Sequence, residues 1–288
     1  MPLQSSTGAQ YARIMSVGGA RGSRVVTNDE LCTMIDSSDE WITQRTGIKE
    51  RRWVADGEDA ETLGADAARK AIERSGLRPA DIDAIIVSTI SHYRQTPSLA
   101  AILAEDLGLE APAAFDVSAA CAGFSYGVGL AEGMVRAGSA THVLVIGVEV
   151  LSKYTDMSDR STAFLFSDGA GAVVIGPSDT PAIGPTVWGS KPEDHAVIEV
   201  DDWRDVKPGG SGPYIHMAGR EVFKWATTAI VEKAVETLRV SGLTPEELDC
   251  FIPHPANNRI TDSMLRHLKL PEDVVVSRDI VHMGNSSA

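Results

Sequence analysis

The sequence predicts an α/β fold made of two related halves, and three observations support that prediction. Continuous apolar runs, such as residues 83–90, are typical of strands buried on both faces of a sheet. Segments with apolar residues at helical spacing alternate with these runs. The nine residues 75–83 recur in similar form as 241–249. Each copy follows an amphipathic helix and precedes an apolar strand, so we expect a duplicated core rather than two unrelated domains.

Composition and charge narrow the possible functions. The chain has 288 residues and a formal net charge of -14 at pH 7, which argues against nucleic-acid binding and against a basic membrane-binding surface. No apolar run is long enough to span a membrane, and no signal-peptide core precedes the first predicted strand. Cys32, Cys121 and Cys250 lie far apart without a paired motif. We therefore expect no disulfide framework, no metal site and a cytoplasmic location.

The first half, assigned to residues 11–185, contains most of the predicted elements. Ser38 or Asp39 can cap a short helix that carries Trp41 and Arg45, although a core tryptophan beside a solvated arginine would show the same pattern. The other predicted elements are strands at 11–17, 83–90, 113–117 and 142–148, helices at 60–75 and 97–107, a helix from the Cys121 turn toward Arg136, and a hairpin over 163–175 around Ser167-Asp168-Gly169.

The second half, assigned to residues 186–288, repeats part of the first. A polar stretch at about 190–213 predicts a loop, and apolar residues at helical spacing predict a long helix over 221–240. The first half continues past its cysteine turn through a helix and further strands, whereas the sequence ends where the matching helix should begin. We therefore expect the second half to be incomplete and the sequence to be a C-terminally shortened form of a longer protein.

Cys121 lies in the stretch with the clearest chemical meaning. The apolar run 113–117 predicts a short strand, and a turn of small residues leads from it into a helix. Unpaired N–H groups and the helix dipole at such a position favour negative charge, which lowers the pKa of a thiol. The small neighbours leave room for a substrate. The alternative is a small cysteine buried behind the strand.

The duplication also predicts which residues approach Cys121. His254 follows the apolar strand of the second half at the place that Ser88 holds in the first half. Asn285 lies where the second half should form the turn that corresponds to the Cys121 turn. If a pseudo-twofold axis relates the halves, Cys121, His254 and Asn285 converge where the halves meet.

These three side chains suit acyl transfer followed by formation of a carbon–carbon bond. A thiolate is a good acyl acceptor and a good leaving group. A neutral histidine and an asparagine can both donate hydrogen bonds to a developing enolate oxygen. No Asp or Glu in a matching position offers itself as a proton abstractor, which favours forming the carbanion by decarboxylation.

Short motifs along the whole chain point to one family. They are Ser38-Asp-Glu-Trp-Ile42, Arg45-Thr-Gly-Ile48, Asp116-Val-Ser-Ala-Ala-Cys-Ala-Gly-Phe124, Ser167-Asp-Gly-Ala-Gly-Ala172, Glu221-Val-Phe223, His254-Pro-Ala-Asn257 and Gly284-Asn-Ser-Ser-Ala288. With these motifs the chain resembles β-ketoacyl-acyl-carrier-protein synthase III, a member of the thiolase superfamily. The resemblance implies a thiolase-like α/β fold, with duplicated βαβαβαββ halves stacked as a layered α/β/α/β/α core.

The resemblance also implies an enzyme that initiates type II fatty-acid synthesis. Cys121 would take an acyl group from acyl-CoA, and malonyl-acyl-carrier protein would then enter and lose CO₂. His254 and Asn285 would stabilise the resulting enolate, which attacks the acyl-enzyme in a Claisen condensation. The family pattern implies a homodimer and no cofactor beyond these substrates.

Binding roles follow from the same resemblance. Arg259 resembles a carrier-protein docking residue, whose positive charge an acidic carrier needs. Thr96 takes the place of a bulkier gate residue, so that longer or branched acyl groups could enter. The residues implied in CoA binding are Trp41 and Arg160 around the adenine, Arg45 at a phosphate, Asn257 at the pantetheine arm and Phe223 in the tunnel wall.

Two residues depart from the family pattern. Pro255 stands where a glutamine is usual and cannot donate a backbone N–H, and Arg220 replaces an asparagine. Three alternatives therefore stay open. They are a specialised homologue in polyketide or other secondary metabolism, an acyltransferase that supplies a starter unit without condensing, and a catalytically inactive partner subunit.

Overall fold

The computed structural model of the protein describes residues 3–207 and 210–288. Its strands are β1 (Tyr11–Arg21), β2 (Arg24–Thr27), β3 (Glu50–Trp53), β4 (Ala84–Ser88), β5 (Ala113–Val117), β6 (Val143–Val150), β7 (Asp168–Ser178), β8 (Ile198–Val200), β9 (Ile215–Met217), β10 (Cys250–Phe251) and β11 (Val275–Val276). Its helices are α1 (Asn28–Leu31), α2 (Asp39–Thr46), α3 (Ala60–Ser75), α4 (Leu99–Asp106), α5 (Gly123–Ala137), α6 (Gly219–Ser241), α7 (Asn258–Leu268) and α8 (Ile280–Met283).

A five-stranded mixed sheet forms the main core, in the order β1-β7-β6-β4-β5. Ile85 and Val87 of β4 pack in the same core cluster as α3 and α4, and Ala84 and Ile86 pack with α5. Both faces of β4 and β6 are therefore covered, which explains their continuous apolar runs. β4 is parallel to both β5 and β6, so the carboxyl ends of these strands meet at one edge, where the candidate site lies.

The predicted duplication of the helix–turn–strand segment is confirmed. In the first repeat unit, defined here as residues 60–88, α3 leads through a 3-10 turn into β4. In the second repeat unit, residues 219–254, α6 leads through an equivalent 3-10 turn into β10. Gly76 and Gly242 end the two helices with φ of 75° and 70°, a left-handed conformation that glycine adopts without steric cost.

The predicted hairpin over 163–175 is wrong. The chain forms a single strand, β7, that begins at Asp168 and pairs antiparallel with β1 and β6. The buried Asp168 carboxylate accepts hydrogen bonds from the N–H groups of Val54 and Ser152 at 2.8 Å. Ser167 is joined to Arg52 of β3. These contacts anchor the polar residues in the interior, so they cannot form an exposed turn.

The predicted loop over 190–213 is only partly confirmed. It contains β8, which pairs antiparallel with β9, although Pro208 and Gly209 lie outside the described residues. The side chain of Asp201 helps to hold this small sheet, since it accepts from the N–H of Tyr214 at 3.0 Å and contacts His216 at 2.8 Å.

Within the residues described, the strands of the second half form two small sheets, β8 with β9 and β10 with β11. After α6 its strands are β10 and β11, which pair in parallel over two residues each. Ile252, which follows β10, is 76% exposed, and Val275 of β11 is 65% exposed. Among the helices described, none combines the length and the apolar character needed to cross a membrane.

Candidate active site

The position of Cys121 is fixed by the end of β5. The chain leaves β5 at Val117, forms a 3-10 turn over 120–122 that contains Cys121, and enters α5 at Gly123. Ala120 has a left-handed φ of 46°, an unfavourable conformation for alanine of the kind that is often found at functional sites. On β5, the Asp116 carboxylate accepts from the first N–H groups of α4 at 2.8 Å. The predicted strand–turn–helix setting of Cys121 is confirmed.

Asn285 reaches the same region by pairing with the first half. Its backbone N–H donates to the Leu165 carbonyl at 3.0 Å, and its carbonyl accepts from the Ser167 N–H at 2.9 Å. Gly284 is required for this approach, because a Cβ atom there would lie 2.8 Å from Cβ of Ser167. The Asn285 side chain is oriented by its Oδ1, which accepts from the Ser287 N–H at 2.9 Å. No hydrogen bond from Nδ2 to the residues described occupies that donor.

The loop that carries Asn285 contacts the nucleophile directly. Oγ of Ser287 lies 3.6 Å from Sγ of Cys121. His254 approaches Cys121 from the second repeat unit, near enough for the two charges to shift each other's pKa. The structure therefore brings Cys121, His254 and the Asn285 loop together, as the duplication predicts.

The Cys121 thiol ionises more readily than an ordinary thiol. Burial by surrounding atoms is the largest influence and raises its pKa, but the charge of His254 and the contact with the Ser287 hydroxyl lower it to a net value of about 7. Cys121 is nevertheless solvent-exposed by surface area, so the surrounding atoms crowd the thiol without sealing it from solvent. The shift has the predicted direction, and His254 from the opposite half is its largest lowering cause, with the backbone at Cys121 contributing as well.

His254 responds to the same interaction. Burial lowers its pKa, but the negative charge of Cys121 raises the pKa more, so the net shift is upward. However, Nε2 of His254 is buried and has no partner of hydrogen-bond geometry among the residues described. We therefore attribute the mutual shift to charge between close neighbours and regard Nε2 as a donor that is free for a ligand.

Three of the predicted CoA-binding residues, Trp41, Arg45 and Arg160, lie in or beside α2. Trp41 packs edge-on against Phe164, with ring centroids 5.2 Å apart. The cation over its ring is Arg45, whose guanidinium carbon is 5.5 Å from the ring centroid. Arg160 instead pairs with Asp36 at 3.1 Å. The Trp41–Arg160 adenine sandwich and the Arg45 phosphate contact remain predictions.

The predicted tunnel and docking residues meet where α6 and α7 begin. Asn257 caps α7 by accepting from the N–H of Arg259 at 2.8 Å. The Arg259 guanidinium lies 5.4 Å from the ring centroid of Phe223 on α6. Thr96 is exposed, and its neighbour Gln95 lines a crevice of about 460 Å³ together with residues 200–204.

The sequence analysis missed two residues near the nucleophile. Ser287 follows Cys121 by 166 residues, the same offset by which Ser241 follows Ser75 in the repeat, so the duplication itself could have identified it. Glu149 is fully buried at the end of β6, and its charge interacts with that of Cys121. The signal for Glu149 was a carboxylate within the apolar run 143–150. The oxygen atoms of Glu149 bind the 89–91 turn. Glu149 is therefore not a base that could abstract a proton from the substrate.

The fold and the site define a protein of the thiolase-like α/β class with a reactive cysteine. The model of 3-oxoacyl-[acyl-carrier-protein] synthase III matches residues 115–192, and the model of the C-terminal region of that synthase matches residues 238–288. A β-ketoacyl-[acyl-carrier-protein] synthase III from Streptomyces glaucescens is 50% identical over 289 residues, with 99% of this chain and 87% of the relative covered. The chain belongs to the 3-oxoacyl-[acyl-carrier-protein] synthase III family.

Solved structures confirm the thiolase-like fold. The priming β-ketosynthase of the R1128 polyketide pathway matches with a TM-score of 0.96 and 42% identity, over 99% of this chain and 86% of that one. The Aquifex aeolicus 3-oxoacyl-[acyl-carrier-protein] synthase III matches with a TM-score of 0.89 and 38% identity, over 96% of this chain and 87% of that one. These alignments do not confirm the predicted C-terminal shortening.

Proposed function

We propose that this protein is an acyltransferase that condenses an acyl-CoA primer with malonyl-acyl-carrier protein, the initiating step of type II fatty-acid synthesis. The observation that carries the proposal is the junction at Cys121, where a readily ionised thiol meets His254 and the loop of Asn285. The family membership and the names of the relatives point to the same reaction.

Acyl transfer uses the attraction between Cys121 and His254. The thiolate attacks the carbonyl carbon of acyl-CoA, a new C–S bond forms, and the C–S bond to CoA breaks. The departing CoA thiolate takes the proton that His254 holds beside the Cys121 anion. Once Cys121 is a thioester its charge is gone, so the effect that raises the His254 pKa is removed while the effect of burial, which lowers the pKa, remains.

Condensation then uses His254 as a neutral donor. Malonyl-carrier protein loses CO₂, and the electrons of the broken C–C bond form an enolate. The free Nε2 of His254 and the free Nδ2 of Asn285 stabilise its oxygen. The carbanion carbon attacks the acyl-Cys121 thioester and expels the Cys121 thiolate, which His254 pairs with again after taking a proton from water. The reaction needs no cofactor beyond its two substrates.

The binding roles of the surrounding residues are part of the proposal. Trp41, Arg45 and Arg160 are cations and an aromatic ring on one surface around α2, which suits a nucleotide with phosphates. Asn257 and Phe223 are the pantetheine and tunnel residues. Arg259 docks the acidic carrier protein although the net charge of this chain is -14, because a local cation is sufficient to guide an acidic partner.

We also propose that two copies associate through β5. This strand lies at the edge of the five-stranded sheet, and Phe115 on it is 36% exposed. An unpaired edge strand is a template for a second strand. Light scattering should therefore report a dimer, and a monomer at micromolar concentration would contradict this assignment. The three unpaired cysteines are consistent with a reducing cytoplasm.

The test separates acylation from condensation. Incubation with acetyl-CoA should add one acetyl group to Cys121 in intact-protein mass spectrometry, and Cys121→Ala should remove that signal. Cys250→Ala is the matched control, since Cys250 is also an exposed free thiol. His254→Ala should retain acylation over long incubation but lose condensation by about 10²–10³-fold. An unacylated wild-type protein would refute the proposal.

Polyketide priming is the second candidate function. The structure with 42% identity and a TM-score of 0.96 is a priming β-ketosynthase of a polyketide pathway, and Arg220 and Pro255 depart from the usual family residues. Thr96 as a small gate residue favours longer or branched primers under this reading. A panel of acyl-CoAs distinguishes the candidates: preference for acetyl-CoA supports fatty-acid initiation, and preference for longer or branched acyl groups supports specialised priming.

A further inference from the structure

A buried carboxyl group next to the site has no role in the reaction described above. Glu149, near the end of β6, is fully buried with 0% of its surface exposed. Placing a carboxyl group in such a position is costly unless its oxygen atoms are hydrogen-bonded. The group therefore requires a specific partner, and its partners lie in the turn that follows β4.

Glu149 binds three consecutive residues of that turn. Its Oε1 accepts from the N–H of Ile90 at 3.1 Å. Its Oε2 lies 2.5 Å from Oγ of Ser91 and 3.2 Å from Oγ1 of Thr89. The two hydroxyl groups can accept a hydrogen bond as well as donate one, so Oε2 has suitable partners whether or not it carries a proton.

The turn over 89–91 connects the two sides of the site. The N–H of Thr89 donates to the Val117 carbonyl at the end of β5, at 3.3 Å, and β5 leads within four residues to Cys121. Oγ of Ser91 accepts from the Val150 N–H at 2.9 Å. Immediately after the turn comes the segment 92–98, which carries Thr96. Glu149 thus holds the start of the Thr96 segment against the strand ends that carry the nucleophile.

We propose that Glu149 is a positioning residue for acylation of Cys121, because its side chain fixes the 89–91 turn and thereby the segment that carries Thr96. The inference rests on the proposed function for the identity of the acyl donor. It adds a residue to the site and makes the geometry of acyl entry depend on one carboxyl group.

The proton state of Glu149 supports this role. Burial raises its pKa to about 8, the hydrogen bonds from Ser91, Ile90 and Thr89 oppose the shift, and the Cys121 anion adds to it. The other titratable groups nearby are tyrosines: the pKa of Tyr154 is raised by burial and by its neighbours Tyr93 and Glu149. At pH 7 the carboxyl is therefore protonated, and Cys121 can ionise without a second anion beside it.

The sign of the pH dependence follows from this shift. The pKa in the folded protein lies above the ordinary value of 4.5. The contribution of Glu149 to the free energy of unfolding is therefore fully present below pH 4.5 and is lost as the pH rises through about 8, where the carboxyl group ionises in the folded protein. Above that pH a buried negative charge on Glu149 would face Cys121 and oppose formation of the Cys121 thiolate. Acylation by acyl-CoA should therefore rise as Cys121 ionises near pH 7 and fall again above pH 8.

The experiment compares Glu149→Gln, which keeps the shape but cannot ionise, with Glu149→Ala and with Glu105→Gln, a control on the surface of α4. Acetylation of Cys121 by acetyl-CoA is followed by mass spectrometry between pH 6 and pH 9.5. We expect acylation to fall above pH 8 more steeply in the wild type and in the control than in Glu149→Gln, because loss of the His254 proton lowers acylation in all three proteins. Glu149→Ala should acylate about 10- to 100-fold more slowly at every pH, because the turn is no longer held.

A second readout uses iodoacetamide, which is small and needs no acyl-CoA site. The pH profile of Cys121 alkylation should be broader in the wild type than in Glu149→Gln, since Glu149 titrates together with Cys121 and His254 in the wild type, whereas Cys121 and His254 alone titrate together in the variant. Identical profiles for wild type and Glu149→Gln in both assays would overturn the proposal, even if Glu149→Ala fails to fold. Absence of acetylation in the wild type would refute the proposed function instead, and the iodoacetamide profiles would still decide the role of Glu149.

Discussion

The two repeat units have the same local structure but differ greatly in burial. Helix α3 of the first unit buries half of its 16 residues, whereas the one buried residue of the 23 in α6 is Val231. Strand β4 lies between β5 and β6 and is buried throughout, whereas β10 has β11 on one side and neither of its residues is buried. The comparison shows that sequence sets the helix–turn–strand unit, and that the neighbouring strands set how much of the unit becomes core.

The difference in burial between the two repeat units also distinguishes the segments that supply the side chains of the site. The deeply buried core that contains the first repeat unit supplies Cys121 from β5 and α5. The more open second unit supplies His254, and the loop after α8 supplies Asn285. A rigid base for the nucleophile and an accessible set of donors suit a reaction in which a bulky carrier-bound substrate must enter after acylation.

The largest expected effect contrasts two isoleucines at equivalent positions in the repeat. Ile86 has 0% of its surface exposed, and Ile252 has 76% exposed. Ile86→Ala should lower the free energy of unfolding by about 2–5 kcal/mol, since it leaves a cavity in the core. Ile252→Ala should change it by less than about 0.5 kcal/mol. Urea denaturation followed by circular dichroism measures both, and equal losses would show that the two units are equally packed.

A smaller effect tests the coupling between the two units. Replacing His254 with alanine removes the charge that lowers the Cys121 pKa to about 7, so the pKa should rise toward the ordinary value of 9.0. Thiolate would then form only at higher pH, and alkylation by iodoacetamide at pH 7 should slow about tenfold for each unit of pKa. His282→Ala is the control, because His282 is exposed beside Glu50. An unchanged pH profile in His254→Ala would show that the units are not electrostatically coupled.

The smallest expected effect concerns the glycine that ends the helix in each of the two repeat units. Gly76 and Gly242 both have a left-handed φ, and a Cβ atom would meet no atom within 4 Å at either position. Gly76→Ala and Gly242→Ala should therefore each cost about 1–2 kcal/mol of stability, which is the backbone penalty alone. Similar shifts of the urea midpoint are expected. If one substitution lowers the free energy of unfolding by several kcal/mol more than the other, burial rather than local backbone conformation determines the cost at that position.

Local patterns were sufficient to predict much of the fold and part of the site. The helix over 60–75 and the strand over 113–117 have the predicted bounds because periodicity, capping and turn residues all act within a few positions. The hairpin at 163–175 failed because Ser167 and Asp168 resemble turn residues in sequence but bind the buried backbone around Arg52 and Val54. Polarity alone does not distinguish an exposed turn from a buried anchor.

The sequence by itself determined the duplicated helix–turn–strand unit, the setting of Cys121 between a strand and a helix, and the family. Those features depend on residues that are neighbours along the chain. Only the tertiary structure decided that Ser287 contacts Cys121, that His254 lowers the pKa of the thiol, and that Glu149 is buried against the 89–91 turn. These depend on atoms brought together from distant segments, and the effect of charge and burial on a group is set by distances that no local pattern records.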